Sequence, residues 1–317
     1  MQRLRRAVID VGTNSVKLLV AELDGHGVIP ILEESEQARL GRGFYETRCL
    51  QAEAIAQTAD AVGRFAELAT QSGVAIPRLI ATSAARDAIN QEELVAALKQ
   101  SSGLDVEIVS GEKEAELVFQ GVTTDPNLEG QRLLILDVGG GSTEFILGEG
   151  GHHSFRQSFD LGSVRLIEKL NPADPPSLAD LAGCRGWLLD FFSQQITPAL
   201  QTVLTDVTRR EARLVGTGGT TTILARMQKQ LETFDREQIE GTRLTRTQVL
   251  DQMVHLWSLP LAARKKIVGL PAKRADIILM GVAIYEAVME HFHFPDVYVS
   301  TRGLRYGAVM ENQEPGA

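Results

Sequence analysis

The feature that most constrains the fold is a pattern that occurs twice. Ala7-Val8-Ile9-Asp10-Val11 reads as a strand reaching an aspartate, followed by the turn Gly12-Thr13-Asn14-Ser15 and a second apolar run, Val16-Lys17-Leu18-Leu19-Val20. Asp137 stands 127 positions after Asp10 in the same setting. It closes the run Leu133-Leu134-Ile135-Leu136 and precedes Val138-Gly139-Gly140-Gly141-Ser142-Thr143 and the strand Glu144-Phe145-Ile146-Leu147. One such turn is weak evidence, because any hairpin uses glycine and short hydroxyl residues to reverse direction. Two copies at this separation predict an internal duplication. A third apolar run, Leu214-Val215, enters Gly216-Thr217-Gly218-Gly219-Thr220 and predicts a strand, a glycine turn and a helix.

The intervening sequence fits two α/β halves. A third strand is expected after the turn Asp24-Gly25-His26-Gly27, and Ile55, Ala59, Val62, Ala66 and Ala69 mark one helical face over 52–71. Strands over 79–82 and 106–109 alternate with helices over 92–100 and from Gly111. The order β-β-β-α-β-α-β-α is one complete unit of about 120 residues. The second half has a loop at 172–176, a helical stretch to about Gln201, an amphipathic helix over 276–291, a strand over 297–299 and a helix over 304–310. The expected domains are 1–122, with 301–317 packing back onto it, and 123–300, with a cleft between them.

Bulk properties narrow the function. A chain of 317 residues suits two domains, and 44% hydrophobic with 23% charged residues is an ordinary globular composition. A net charge of -9 argues against nucleic-acid polymers and anionic membranes as partners. Arg3, Arg5 and Arg6 precede only a short apolar run before Asp10, so neither export nor a membrane span is expected. Cys49 and Cys184 lack metal-ligand spacing and are expected to be reduced thiols of a cytoplasmic protein.

Glycine turns after strands offer backbone N–H groups to an anion, and Ser and Thr hydroxyls add donors. The candidate phosphate-binding residues are therefore Gly12, Thr13, Asn14 and Ser15; Gly139, Gly140, Gly141, Ser142 and Thr143; and Gly216, Gly218 and Gly219. Asp137 first and Asp10 second suit a hard divalent cation, most simply Mg²⁺. No Gly-x-x-x-x-Gly-Lys-Ser/Thr loop occurs. The run from Gly139 fails the dinucleotide fingerprint, because Glu144 replaces its last glycine and a strand follows.

The two aspartate turns resemble the phosphate motifs of the exopolyphosphatase/guanosine pentaphosphate phosphohydrolase (Ppx/GppA) family. Thr82-Ser83-Ala84-Ala85-Arg86-Asp87 and Ser110-Gly111-Glu112-Lys113-Glu114-Ala115 are similar to its arginine loop and catalytic-glutamate segment. Gly216–Thr220, Lys273-Arg274-Ala275-Asp276 and Gly303-Leu304-Arg305 continue the match in order, over nearly the whole chain. The resemblance implies the duplicated actin-like (ASKHA, ribonuclease H-like) α/β superfold and metal-dependent release of a terminal phosphate. Inorganic polyphosphate is the first substrate and guanosine pentaphosphate the alternative. It selects Glu114 to deprotonate the attacking water, among acids that would otherwise read as a helix start, and Arg86 to offset phosphate charge. Glu144 shares in water positioning or metal binding. From the residues alone, Arg86 could equally pair with Asp87, and Glu144 could face outward.

Tyr306 stands where many members carry glutamate. Ending near residue 317, the chain resembles the short members, which implies action on short polyphosphates at least as good as on long ones, without processivity. A superfold kinase and a non-catalytic pppGpp/ppGpp sensor are the rivals. The first-domain arginine and glutamate favour water as acceptor over a kinase, and retention of Glu114 and Asp137 argues against a sensor. Substrate preference and the choice between monomer and homodimer stay open at this point. Lys265-Lys266, Lys273-Arg274 and His291-x-His293 read as helix ends rather than sites.

Overall fold

The structure is a computed structural model that describes residues 4–24 and 27–311; Gly25 and His26 of the expected turn, and residues 312–317, lie outside it. The chain divides into two compact units, 1–127 with 302–317, and 128–301.

The first unit holds five strands: β1 (Leu4–Val11), β2 (Val16–Asp24), β3 (Gly27–Glu36), β4 (Arg78–Ala81) and β5 (Val106–Ile108). They lie in the order β3-β2-β1-β4-β5, with β1, β2 and β3 antiparallel and β4 and β5 added in parallel. Parallel neighbours need long crossovers, and the helix Ala52–Gln71 supplies the one from β3 to β4. It buries the expected face, including Ile55 and Val62. Full burial of each such side chain stabilises the fold by roughly 1.5–3 kcal/mol.

The second unit holds β6 (Arg132–Val138), β7 (Thr143–Glu149), β8 (His152–Phe159), β9 (Arg213–Thr217), β10 (Arg243–Thr245) and β11 (Asp296–Val299). Its order, β10-β11-β9-β6-β7-β8, repeats the first sheet: β8-β7-β6-β9-β11 corresponds to β3-β2-β1-β4-β5, and β10 is added at the edge. The duplication read from two aspartate turns is thus a duplication of sheet topology. β6 is buried at Leu133–Leu136, where it lies between β9 and β7 with the helix Gly218–Lys229 packed against it.

Three expectations need correction. The helix Ile278–His291 is not amphipathic: every residue from Ile278 to Met289 is buried, as in a helix at the centre of a core. The run after Gly216 has no separate turn, because the helix Gly218–Lys229 begins directly after β9. β8 and the helix Ser163–Leu170 were not foreseen. The alternation of β8 is masked by its polar, exposed first residues. Among the described residues, no helix is long and apolar enough to cross a membrane.

The helix Leu304–Met310 returns to the first unit and crosses the helix Gly111–Val122 at glycines. A Cβ on Gly307 would stand 2.0 Å from the Leu117 carbonyl oxygen, and one on Gly121 would stand 2.1 Å from that of Gly303. Backbone meets backbone here, so no side chain can move aside. Gly307→Ala should therefore destabilise the protein by about 2–3 kcal/mol, the upper range for overpacking. A urea denaturation midpoint equal to wild type would show that these helices separate freely.

Candidate active site

In each unit the candidate residues lie at the carboxyl ends of parallel strands, where α/β sheets commonly bind ligands. The turn after β1 and the turn after β6 are closed by the same hydrogen bond: Gly12 N–H donates to the Ser15 carbonyl, and Gly139 N–H to that of Ser142, both at 3.0 Å. Behind the second turn lies the helix Ser163–Leu170. The N–H of Ser163 donates to the Gly139 carbonyl at 3.0 Å, and those of Val164 and Arg165 donate to Gly140 at 2.8 and 3.0 Å. The Arg165 side chain donates through Nε to the Gly141 carbonyl at 2.8 Å.

These bonds orient the turn. In a planar trans peptide the C=O of one residue points opposite to the N–H of the next. With the carbonyls of Gly139, Gly140 and Gly141 drawn to the helix, the N–H groups of Gly140, Gly141 and Ser142 face away from it. A Cβ on Gly162 would stand 2.3 Å from the Gly140 oxygen, so the helix comes this close only because residue 162 is glycine. The first turn is held likewise: Gly41 N–H donates to Thr13 at 2.7 Å, and Arg39 N–H to Asn14 at 3.0 Å. The N–H groups of Asn14 and Ser15 therefore face away from residues 39–41.

The strand register sets the carboxylates. Asp137 pairs directly across from Glu144, and Asp10 directly across from Lys17. Opposed residues of an antiparallel pair share a face, and like charges opposed there are destabilising. Glu144 is not the outward strand residue its polarity allowed; it is 1% exposed and accepts a hydrogen bond from Ser158 Oγ at 2.7 Å. Asp137 is half-buried, and its Oδ1 lies 2.2 Å from where a Cβ on Gly218 would stand. Gly218 has φ +84°, a left-handed conformation that glycine adopts without cost. Gly216 is packed against Thr221 and Tyr285, and the Arg274 guanidinium lies against Gly219 at the N-terminus of the helix Gly218–Lys229.

In the first unit, Arg86 and Glu114 meet. Arg86 Nη1 lies 3.2 Å from Glu114 Oε2 and donates to the Val109 carbonyl at 3.2 Å, while its Nε stands 3.6 Å from Asp87. Glu114 sits in the first turn of the helix Gly111–Val122, which Ser110 caps by accepting from Lys113 N–H. Asp10 is buried, and burial raises its pKa above the ordinary carboxylate range against the opposing charges of Lys17 and Arg305.

The donor set suits a hard cation in the second unit. Two opposed carboxylates, one of them buried, call for a positive charge. Mg²⁺ keeps several waters and takes phosphate oxygens, so one or two carboxylates suffice. Among the described residues no group of three or more His, Cys, Asp or Glu side chains could hold a metal. Cys184 is disfavoured as a nucleophile, since burial pushes its thiol pKa up to about 12.

A model of the Ppx/GppA phosphatase family matches residues 19–314. The chain belongs to this family. It is similar to exopolyphosphatase 2 of Mycobacterium tuberculosis, 33% identical over 298 residues that cover 90% of each chain. It is 29% identical over 310 residues to a guanosine-5'-triphosphate,3'-diphosphate pyrophosphatase of Vibrio cholerae, covering 96% of this chain and 58% of that one. The crystal structure of an exopolyphosphatase from Cytophaga hutchinsonii superposes with a TM-score of 0.85 at 28% identity, covering 96% of both chains. The architecture is the duplicated actin-like α/β fold expected for the family.

Some contributors to this Ppx/GppA site were not legible in advance. Gly162, Ser163 and Arg165 form the latch behind the glycine turn; a Gly-Ser pair before an amphipathic run was the available signal. Arg274, read as a helix end, lies against Gly219. His291 does end a helix, where Nε2 meets Thr197 Oγ1 at 2.8 Å.

The Asp10 shift has a testable consequence. A carboxyl whose folded pKa is raised contributes stability at low pH that is lost as pH rises through the folded value. In EDTA, Asp10→Asn should therefore be more stable than wild type at pH 8, with the difference shrinking as pH falls toward the ordinary carboxylate range. Melting temperatures across pH 4–8 check this. An Asn variant that loses stability relative to wild type as pH rises would contradict it.

Proposed function

We propose that the chain is a metal-dependent exopolyphosphatase, a phosphoanhydride hydrolase that releases the terminal phosphate of inorganic polyphosphate. The observation that carries this reading is the Asp137–Glu144 pair beside the outward amides of Gly140, Gly141 and Ser142. Asp137 and Glu144 would hold Mg²⁺, which when bound neutralises charge on phosphate oxygens. At the corresponding position of the first unit Lys17 replaces the second acid. We therefore assign the metal to Asp137 and Glu144, and give Asp10 the charges of Lys17 and Arg305.

The chain's own groups divide the remaining work. The amides of Asn14 and Ser15, those of Gly140–Ser142, and the N-terminus of the helix Gly218–Lys229 bind phosphate oxygens. Arg274, beside Gly219, and Arg86 offer planar forks to the same class of oxygen. Glu114 orients and deprotonates water, with Arg86 fixing its position through their ion pair. Little covalent chemistry is required of a protein in phosphoryl transfer, where positioning and electrostatics dominate.

A second reading, hydrolysis of guanosine pentaphosphate, is favoured by the Vibrio cholerae relative and would use the same groups. Phosphate release from long polyphosphate, tripolyphosphate and pppGpp, each with magnesium, decides between them. Release from pppGpp alone would overturn the polyphosphate reading, and release from none would overturn both.

Glu114→Gln should fold and bind substrate while turning over at least ~10²-fold more slowly, the loss expected for a missing general base. Near-normal kcat would move the base elsewhere, with Glu144 the first suspect. Asp137→Asn should raise the magnesium concentration for half-maximal activity about 10-fold or more, with its melting temperature in EDTA little changed. Full wild-type activity in excess EDTA would remove the metal from the mechanism.

A further inference from the structure

A buried hydroxyl lies beneath the metal-side carboxylate and has no role in the reading so far. Tyr285, on the helix Ile278–His291, is fully buried, and its Oη reaches the ends of β6 and β9. It lies 3.1 Å from the Leu136 carbonyl oxygen and 3.2 Å from that of Thr217. Thr221 Oγ1 lies 2.5 Å from the same Oη and 2.9 Å from the Thr217 oxygen.

The placement matters because of where the ladder stops. The parallel pairing of β6 with β9 ends at Asp137 opposite Thr217, and the chain leaves β9 at Gly218 with φ +84°. Two carbonyls, those of Leu136 and Thr217, converge there on a single oxygen. Both are acceptors, and a hydroxyl donor placed between them ties the end of β6 to the end of β9. The hydroxyls of Tyr285 and Thr221 supply two protons to that cluster. Burial and the nearby Asp137 charge hold the Tyr285 pKa far above its ordinary value, so the phenol keeps its proton.

The next residue of each strand belongs to the site. Asp137 follows Leu136, Gly218 follows Thr217, and the Asp137 carboxylate is pressed against Gly218. If the carbonyls separate, the carboxylate moves relative to the glycine turn. The site also has no slack on this side: a Cβ on Gly216 would stand 2.9 Å from Tyr285 Cε1.

We propose that Tyr285, with Thr221, is a positioning residue that fixes Asp137 against Gly218 and so sets the affinity of the cation–phosphate site. This rests on the metal assignment under Proposed function. It makes the hydroxyl, rather than the bulk of the ring, the functional part of Tyr285.

The test is Tyr285→Phe, which keeps the ring and removes one oxygen. Its readout is Mn²⁺ binding by calorimetry, beside the melting temperature in EDTA. Groups behind metal ligands typically contribute 10–100-fold in affinity. The Phe variant should bind Mn²⁺ about 10-fold more weakly than wild type. Thr221→Val should weaken binding in the same direction, and Thr221→Ser, which restores the hydroxyl, should return it. A lower melting temperature with unchanged Mn²⁺ affinity would make Tyr285 a core residue only and overturn the proposal. Wild-type protein that binds no Mn²⁺ at millimolar concentration would overturn the metal assignment and this inference with it. That outcome is seen before any variant is made, so the two failures are distinguishable.

Discussion

Peptide planarity is the constraint on which the site depends. A glycine turn is no anion site by composition alone; its amides must converge outward, and nothing within so short a turn can hold them there. The helix Ser163–Leu170 does so in the second unit by drawing three successive carbonyls onto its own first amides and the Arg165 side chain. The segment at 39–41 does so in the first unit through two carbonyls. Each latch satisfies acceptors and donors that would otherwise be unpaired, so orienting the turn needs no separate source of stability. The glycines divide accordingly. Those inside the turns allow an anion to approach, and Gly162 and Gly41 allow the latches to approach; a Cβ on Gly41 would stand 2.3 Å from Thr13 Cγ2.

The duplication preserves geometry and changes charge. Both turns close with the same bond and both aspartates occupy the same register, yet the residue opposite is Lys17 in one unit and Glu144 in the other. The first pair is complementary within the chain. The second is an acid opposed to an acid, one buried, in a protein whose net charge is already -9. Such a pair is tolerable when an external cation belongs to the site. At the first-unit position the chain itself supplies an ammonium opposite the aspartate.

Much of the fold was legible because its signals are local. The helix at 52–71 has the bounds its apolar spacing gives, and the strand–aspartate–turn copies declared the repeated topology. What escaped depends on contacts distant in sequence. β8 opens with exposed polar residues, so its pairing with β7 shows in partners rather than in its own pattern. The helix at 278–291, expected to be amphipathic, is buried on all sides from Ile278 to Met289, Glu286 included. That glutamate is paired with Arg185, an arrangement that no spacing rule anticipates. In the site, the acids and glycines announced themselves, whereas the latch did not, and Arg274 stood in a matched motif without a role. A donor that orients a carbonyl has no composition of its own.

The ion pair of Arg86 with Glu114 is held in place by the chain on both sides of it. A carboxylate intended as a base must stay ionised and aimed without a substrate to hold it. Arg86 supplies the aim, since its bond to the Val109 carbonyl fixes where the guanidinium stands beside Glu114. Arg86 is itself tied to the end of β5, and Glu114 to the capped helix start that follows it, so the pair is rigid through one short stretch of chain. A fork engaged on one edge still has N–H groups on another, which lets one arginine address a carboxylate and a phosphate together.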